Sequence, residues 1–121
     1  MAAISFLYDT RKDWDENVID HRLKTFMRDI ALEFGGAWLT CLSRTPEKNA
    51  AEHGKPNSKH LLNGEGKCEA ADWELMDRLL NDGVIPYCEA HWRGIKVIYH
   101  KVKDGRLHFH AQINDRVELL A

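Results

Sequence analysis

Three side chains far apart in this sequence, His60, Asp72 and His108, are of the types that hold a catalytic metal ion. An open zinc site takes three protein ligands drawn from imidazole nitrogen and carboxylate oxygen. It leaves a fourth position to water, whose pKa drops to about 7. The polar stretches around them are Ser43-Arg44-Thr45-Pro46-Glu47-Lys48-Asn49, Asn57-Ser58-Lys59-His60, Ala70-Ala71-Asp72 and, near the C-terminus, His108-Phe109-His110. The chemistry open to such a set is hydrolysis by an activated water. His110, two residues from His108, can be the acid/base group, the third ligand or a partner that orients a ligand. Asp72 has a second reading, because it precedes Trp73-Glu74-Leu75 and suits a helix N-cap.

The elements that must bring these residues together follow from hydrophobic period. Val18, Ile19, Leu23, Phe26, Met27, Ile30, Ala31 and Phe34 recur at helical spacing and predict an amphipathic helix over 17–34, stopped by Gly35-Gly36. The short apolar run 37–43 predicts a buried strand with Arg44 at its end, and Trp38 in the core. From Thr45 to Lys67 no period holds, and Pro46, Gly54, Pro56, Gly64 and Gly66 punctuate the segment, so a long loop is expected. A brief strand over 68–71 and a short helix carrying Trp73, Leu75, Met76, Leu79 and Leu80 would leave Asp72 at their junction.

Asp104-Gly105 between two β-prone runs predicts a two-residue hairpin turn. That turn would set His108 opposite Lys101, His110 opposite Tyr99 and His100 opposite Phe109. On the second strand Leu107, Phe109, Ala111 and Ile113 share one face, while His108, His110 and Gln112 share the other.

The chain of 121 residues suits one domain spanning 1–121, with 44% hydrophobic and 30% charged residues. A net charge of -2 argues against broad capture of nucleic acid or anionic lipid. Cys41, Cys68 and Cys88 contain no CxxC pair, which predicts reduced, mostly buried thiols. Met1 to Lys12 lacks the features of a secretion signal, and no run is long and apolar enough to span a membrane. The expectation is a cytosolic monomer without membrane insertion.

At the polar stretches the chain resembles the M15-type zinc peptidases, the D-alanyl-D-alanine carboxypeptidases and phage endolysins whose fold the Hedgehog signalling domain shares. Arg44 to Asn49, Asn57-Ser58-Lys59-His60-Leu61-Leu62, Ala70-Ala71-Asp72 and Leu107-His108-Phe109-His110 carry the likeness, in family order, over about residues 37–113. The resemblance implies an α+β fold, with a small, mainly antiparallel sheet and an N-terminal helix on one face. It implies zinc held by His60, Asp72 and His108, with Arg44 on the scissile carbonyl or a substrate carboxylate and Ser58 in the substrate groove. Asn49 is expected to hold its loop by side-chain to backbone bonds.

Two departures stand out. Eleven residues separate His60 from Asp72, more than in the family, so Asn63 to Glu69 reads as an insertion able to form a specificity loop. The family's usual acid/base position falls on Gly105, which leaves Asp104, Glu89 and His110 as candidates. Trp92, beside His91 and Arg93, is expected to flank the groove.

The implied activity is hydrolysis of peptide bonds in bacterial peptidoglycan stem peptides or D-alanyl precursors, as carboxypeptidase, dipeptidase or endopeptidase. A phage-borne copy would reach the wall at lysis. A different class stays open: a peptidoglycan-binding or virion-structural domain that keeps the fold without turnover. A metal-free interaction domain ranks below both.

Overall fold

The computed structural model describes residues 3–101 and 107–120, with His100 and Lys101 described in backbone only. Asp104, a candidate acid/base group, and the Asp104-Gly105 turn lie outside the described residues. The elements run β1 (Ile4–Phe6), α1 (Thr10–Asp15), α2 (His21–Phe34), β2 (Ala37–Cys41), α3 (Pro46–Ala51) and β3 (Ala70–Leu75). A 3-10 turn of helix (Arg78–Gly83), α4 (Val84–His91), β4 (Trp92–Lys101) and β5 (Leu107–Leu119) follow. This is an α+β fold. Among the described residues five strands form one mixed sheet in the order β1-β2-β3-β5-β4, parallel between β1 and β2 and antiparallel between the other neighbours.

Helix α2 packs on one face of the sheet through the stripe read from its period. Leu23, Phe26, Met27, Ile30, Ala31 and Phe34 are buried. It begins later than expected, at His21, because the Asp20 side chain caps it by accepting the Arg22 N–H at 2.9 Å. Val18 and Ile19 lie ahead of that cap, where Ile19 bridges to Cys68. The helix ends at Gly35, whose φ of +84° only glycine adopts without strain. Beneath it Phe26 meets Trp73 and Trp92 edge-on, and Trp73 stacks on Phe109 at 4.7 Å. Burying each such ring is worth roughly 1.5–3 kcal/mol.

Four local expectations change in three dimensions. The 45–67 segment contains α3, because Thr45 caps it by accepting the Lys48 N–H and Pro46 opens it. Trp73 and Leu75 lie on β3 rather than on a helix, since pairing to both β2 and β5 outweighs a weak helical spacing. Asp72 is therefore mid-strand and caps nothing. Trp38 faces away from α2 and is 39% exposed, the alternate position to buried Ala37 and Leu39.

The β4–β5 register differs by one residue from the two-residue-turn expectation. His108 pairs with His100, Phe109 with Tyr99 and His110 with Ile98. The faces of β5 survive that shift because alternation within a strand does not depend on the turn. Phe109, Ala111 and Ile113 are buried in the core beneath the helices, and His108, His110 and Gln112 take the opposite face.

Candidate functional site

The site lies on the sheet face opposite α2, where β3 presents Asp72 and β5 presents His110 directly across from it. A register shift between Leu39 and Cys41 in β2 places Cys41, not Thr40, opposite Asp72. Without that bulge Cys41 would share the core-facing parity of Ala37 and Leu39, so the extra residue turns its thiol toward the site. Where the strand ends, the Asp13 carboxylate of α1 accepts from Ser43 N at 2.9 Å and Ser43 Oγ at 2.7 Å, pinning the backbone that leads into Arg44.

The loop following Arg44 is folded back onto it. Arg44 N donates to the His60 carbonyl at 2.9 Å. Its guanidinium donates to Asn49 Oδ1 at 3.4 Å, lies 3.1 Å from Glu52 Oε2 through Nε, and reaches Asp72 Oδ2 at 3.6 Å through Nη2. Asn49 is buried and donates to the Lys55 carbonyl at 2.9 Å, the loop-holding role expected of it. Gly54 leaves room for the Asn49 side chain, since a Cβ there would stand 2.0 Å from Asn49 Oδ1 and displace it. Ser58 Oγ accepts the His60 N–H at 3.2 Å, which sets the direction from which the imidazole enters.

His60 is 2% exposed. Its Nδ1 is 2.6 Å from the Leu42 carbonyl, which can only accept, so Nδ1 carries a proton and Nε2 is left facing Asp72 Oδ1 at 3.1 Å. Metal-bound histidines show this arrangement, one nitrogen spent on a carbonyl and the other presented to the ion. His110 Nδ1 lies 2.7 Å from the same Asp72 oxygen, and Gln112 Oε1 is 2.9 Å from His110 Nε2, the Gln112 Nε2 donating instead to Asn114 Oδ1 at 2.6 Å. His108 Nε2 is 4.0 Å from the other oxygen, Oδ2.

Burial disfavours the charged form of Asp72, but hydrogen bonds from His110 and His60 outweigh it and hold the carboxyl well below its usual range. Burial likewise opposes charge on His60, yet the Asp72 carboxylate lifts that imidazole to about 10. Without an ion the centre is thus a buried carboxylate held by imidazole N–H groups.

A cleft of about 350 Å³ opens on this centre, lined among others by Arg44, Lys55, Ser58, His60, Asp72 and His110. Residues 61–71 contribute nothing to that lining. The stretch read as a specificity insertion instead docks on the start of α2, with Cys68 N donating to Val18 O at 2.8 Å and Asp20 N to Cys68 O at 3.0 Å. Glu89 is exposed on α4, whose Tyr87 packs edge-on against Phe34 of α2 on the far side of the sheet, so it is not placed to serve the cleft. Trp92 is buried against Phe26 and bonds Asp29 through Nε1 at 2.8 Å, so it braces the core rather than flanking the groove.

Arg44, Ser58, His60, Asp72 and His110 therefore converge, and His108 stands at their margin. Sequence reasoning missed Cys41, whose parity on β2 is reversed by a bulge that has no signal in residue types. Cys41, His60 and Asp72 offer a sulfur, a nitrogen and an oxygen that all lie within 4.8 Å of one another, and this group could hold a metal ion. Among the described residues no helix is long and apolar enough to cross a membrane. No protein-family model, curated protein or solved structure matches the chain.

Proposed function

We propose that the chain is a zinc-dependent peptidase acting on bacterial cell-wall peptides, built on the Hedgehog and D-alanyl-D-alanine peptidase plan that its motifs resemble. The observation that carries the reading is the meeting of Arg44, His60 and His110 on one buried carboxylate, Asp72, at the floor of a cleft. These are residues that the motif order singles out from distant parts of the chain. His60 and Asp72 would hold the ion, with His108 as the third ligand the resemblance implies. The ion would supply Lewis-acid polarisation of the scissile carbonyl and a water that is nucleophilic near neutral pH.

The chain's own groups account for the rest of the chemistry. Arg44, held by Asn49 and Glu52, brings a fixed positive charge to the cleft wall, where the oxyanion of the attacked carbonyl develops. His110 lines the cleft with Asp72 on Nδ1 and Gln112 Oε1 on Nε2, acceptors both, so it is the described group placed to hand a proton to the leaving amine. Ser58 and Lys55 stand at the mouth and would meet the peptide on entry.

The test is incubation of the zinc-loaded protein with purified muropeptides and D-alanyl peptides, with and without chelator, and identification of products by mass spectrometry. Chelator-sensitive cleavage of one peptide bond is expected. Bound zinc with no product across several wall chemotypes would overturn the peptidase reading and favour a wall-binding module.

A further inference from the structure

We infer that Cys41 is a ligand of the ion, taking as a thiolate the third place that the resemblance gives to His108. The inference rests on the proposed ion at His60 and Asp72 and changes one member of its coordination set. The bulge in β2 exists at the one point that brings Cys41 into register with Asp72, and Cys41 Sγ lies beside the His60 ring, 3.7 Å from Nδ1, the nitrogen turned to the Leu42 carbonyl. Zinc bonds of about 2.0–2.3 Å in a tetrahedron set ligand atoms roughly 3.3–3.8 Å apart. Atoms already within 4.8 Å of one another reach that spacing by contracting about 1 Å, within the range of side-chain rotation.

Charge separates the two candidates for the third place. Asp72 divides its oxygens: Oδ1 meets His60 and His110, whereas Oδ2 faces the Arg44 guanidinium at 3.6 Å and His108 at 4.0 Å. A dication drawn to the His108 side would sit against that guanidinium, in a place where Asp72 is 4% exposed and His108 7% exposed. A thiolate and a carboxylate together neutralise a dication, which is what a dry site requires. Cys41 is not among the residues lining the cleft, so its sulfur would close the ion's inner side and leave the cleft side to substrate. Binding converts the Cys41 thiol and a divalent cation into a metal thiolate and one released proton.

Cobalt(II) makes the sulfur visible. The full chain, stripped of metal and kept reduced, is titrated with cobalt(II) and its absorption recorded, and zinc(II) affinity is measured by chelator competition. A strong thiolate-to-cobalt charge-transfer band in the near ultraviolet is expected. Cys41→Ser should lose that band and bind zinc about tenfold or more weaker. Cys68→Ala, Cys88→Ala and His108→Gln should keep both properties, and Cys41→Ala replaces the serine variant if that one does not fold. Cobalt bound without the band, a band that persists in Cys41→Ser, or loss of zinc in His108→Gln but not in Cys41→Ser would overturn the assignment. Cleavage of muropeptides without the band sinks this inference and spares the peptidase. A Cys41-dependent band without cleavage does the reverse, and absence of binding of either metal sinks both.

Discussion

Asp72→Asn, studied in the presence of chelator, should destabilise the protein by an amount that shrinks as pH rises. In the folded metal-free chain burial presses the charge off His60, but Asp72 and, after it, Cys41 lift the imidazole from 6.5 to about 10. A raised imidazole stabilises the fold fully below 6.5, where folded and unfolded chains both hold the proton. That contribution drains away between 6.5 and about 10, as the unfolded chain sheds its proton first and the folded chain follows. Each tenfold gain in proton affinity corresponds to about 1.36 kcal/mol, so the raised imidazole contributes at most about 5 kcal/mol near pH 6, about 3 kcal/mol near pH 8 and under about 1 kcal/mol above pH 10, and loss of Asp72 removes the larger share of it. The low position of Asp72 expresses the same interaction seen from its other end, so the two are counted once. On the acid side the carboxylate keeps its proton off until well below the ordinary range, so the gap between wild type and variant should hold through pH 5. Urea unfolding followed by circular dichroism at pH 6, 8 and 9.5 gives the gap directly. A difference that stays constant over that range, or widens toward alkaline pH, would refute the idea that a charged His60–Asp72 pair holds the centre together.

Two glycine substitutions should separate strain in the scaffold from strain at the site. Gly94→Ala puts a Cβ 2.2 Å from the Arg116 carbonyl oxygen at a φ of +89°, and the three atoms nearest to it are all backbone. Thermal melts should show a loss of about 2–4 kcal/mol with the cleft residues unaltered in their metal affinity. Gly54→Ala instead meets the end of the Asn49 side chain, which can swing away at the expense of its bonds to Lys55 and Arg44. Stability should fall by only about 1–2 kcal/mol while peptide hydrolysis falls at least about tenfold, and equal losses in both assays would contradict the assigned link from Gly54 through Asn49 to Arg44.

Periodicity in the chain announced α2 and the alternation of β5, because each depends on a repeat that a helix or strand imposes on its own residues. The turn residues Gly35 and Thr45 act just as locally, although Thr45 and Pro46 suit a loop as well as the helix start they form at α3. The placing of Asp72 was beyond local reading, since Trp73-Glu74-Leu75 suits a helix as well as a strand and only pairing to β2 and β5 decides between them. The same holds for Trp38, which is apolar in type yet outward in parity.

What the linear chain determined by itself was the inventory and order of the polar groups: an arginine, a serine, an imidazole, a carboxylate and a pair of imidazoles, each with an identity that limits its chemistry. What only the tertiary structure decided was their company. His60 meets Asp72 across a folded loop, His110 meets it across a strand pair, and Cys41 reaches it because one surplus residue in β2 reverses which side of the sheet the thiol takes. Contacts of this kind depend on register and bulges, which are settled by the packing of the whole sheet on α2 and leave no mark on the residues they reposition.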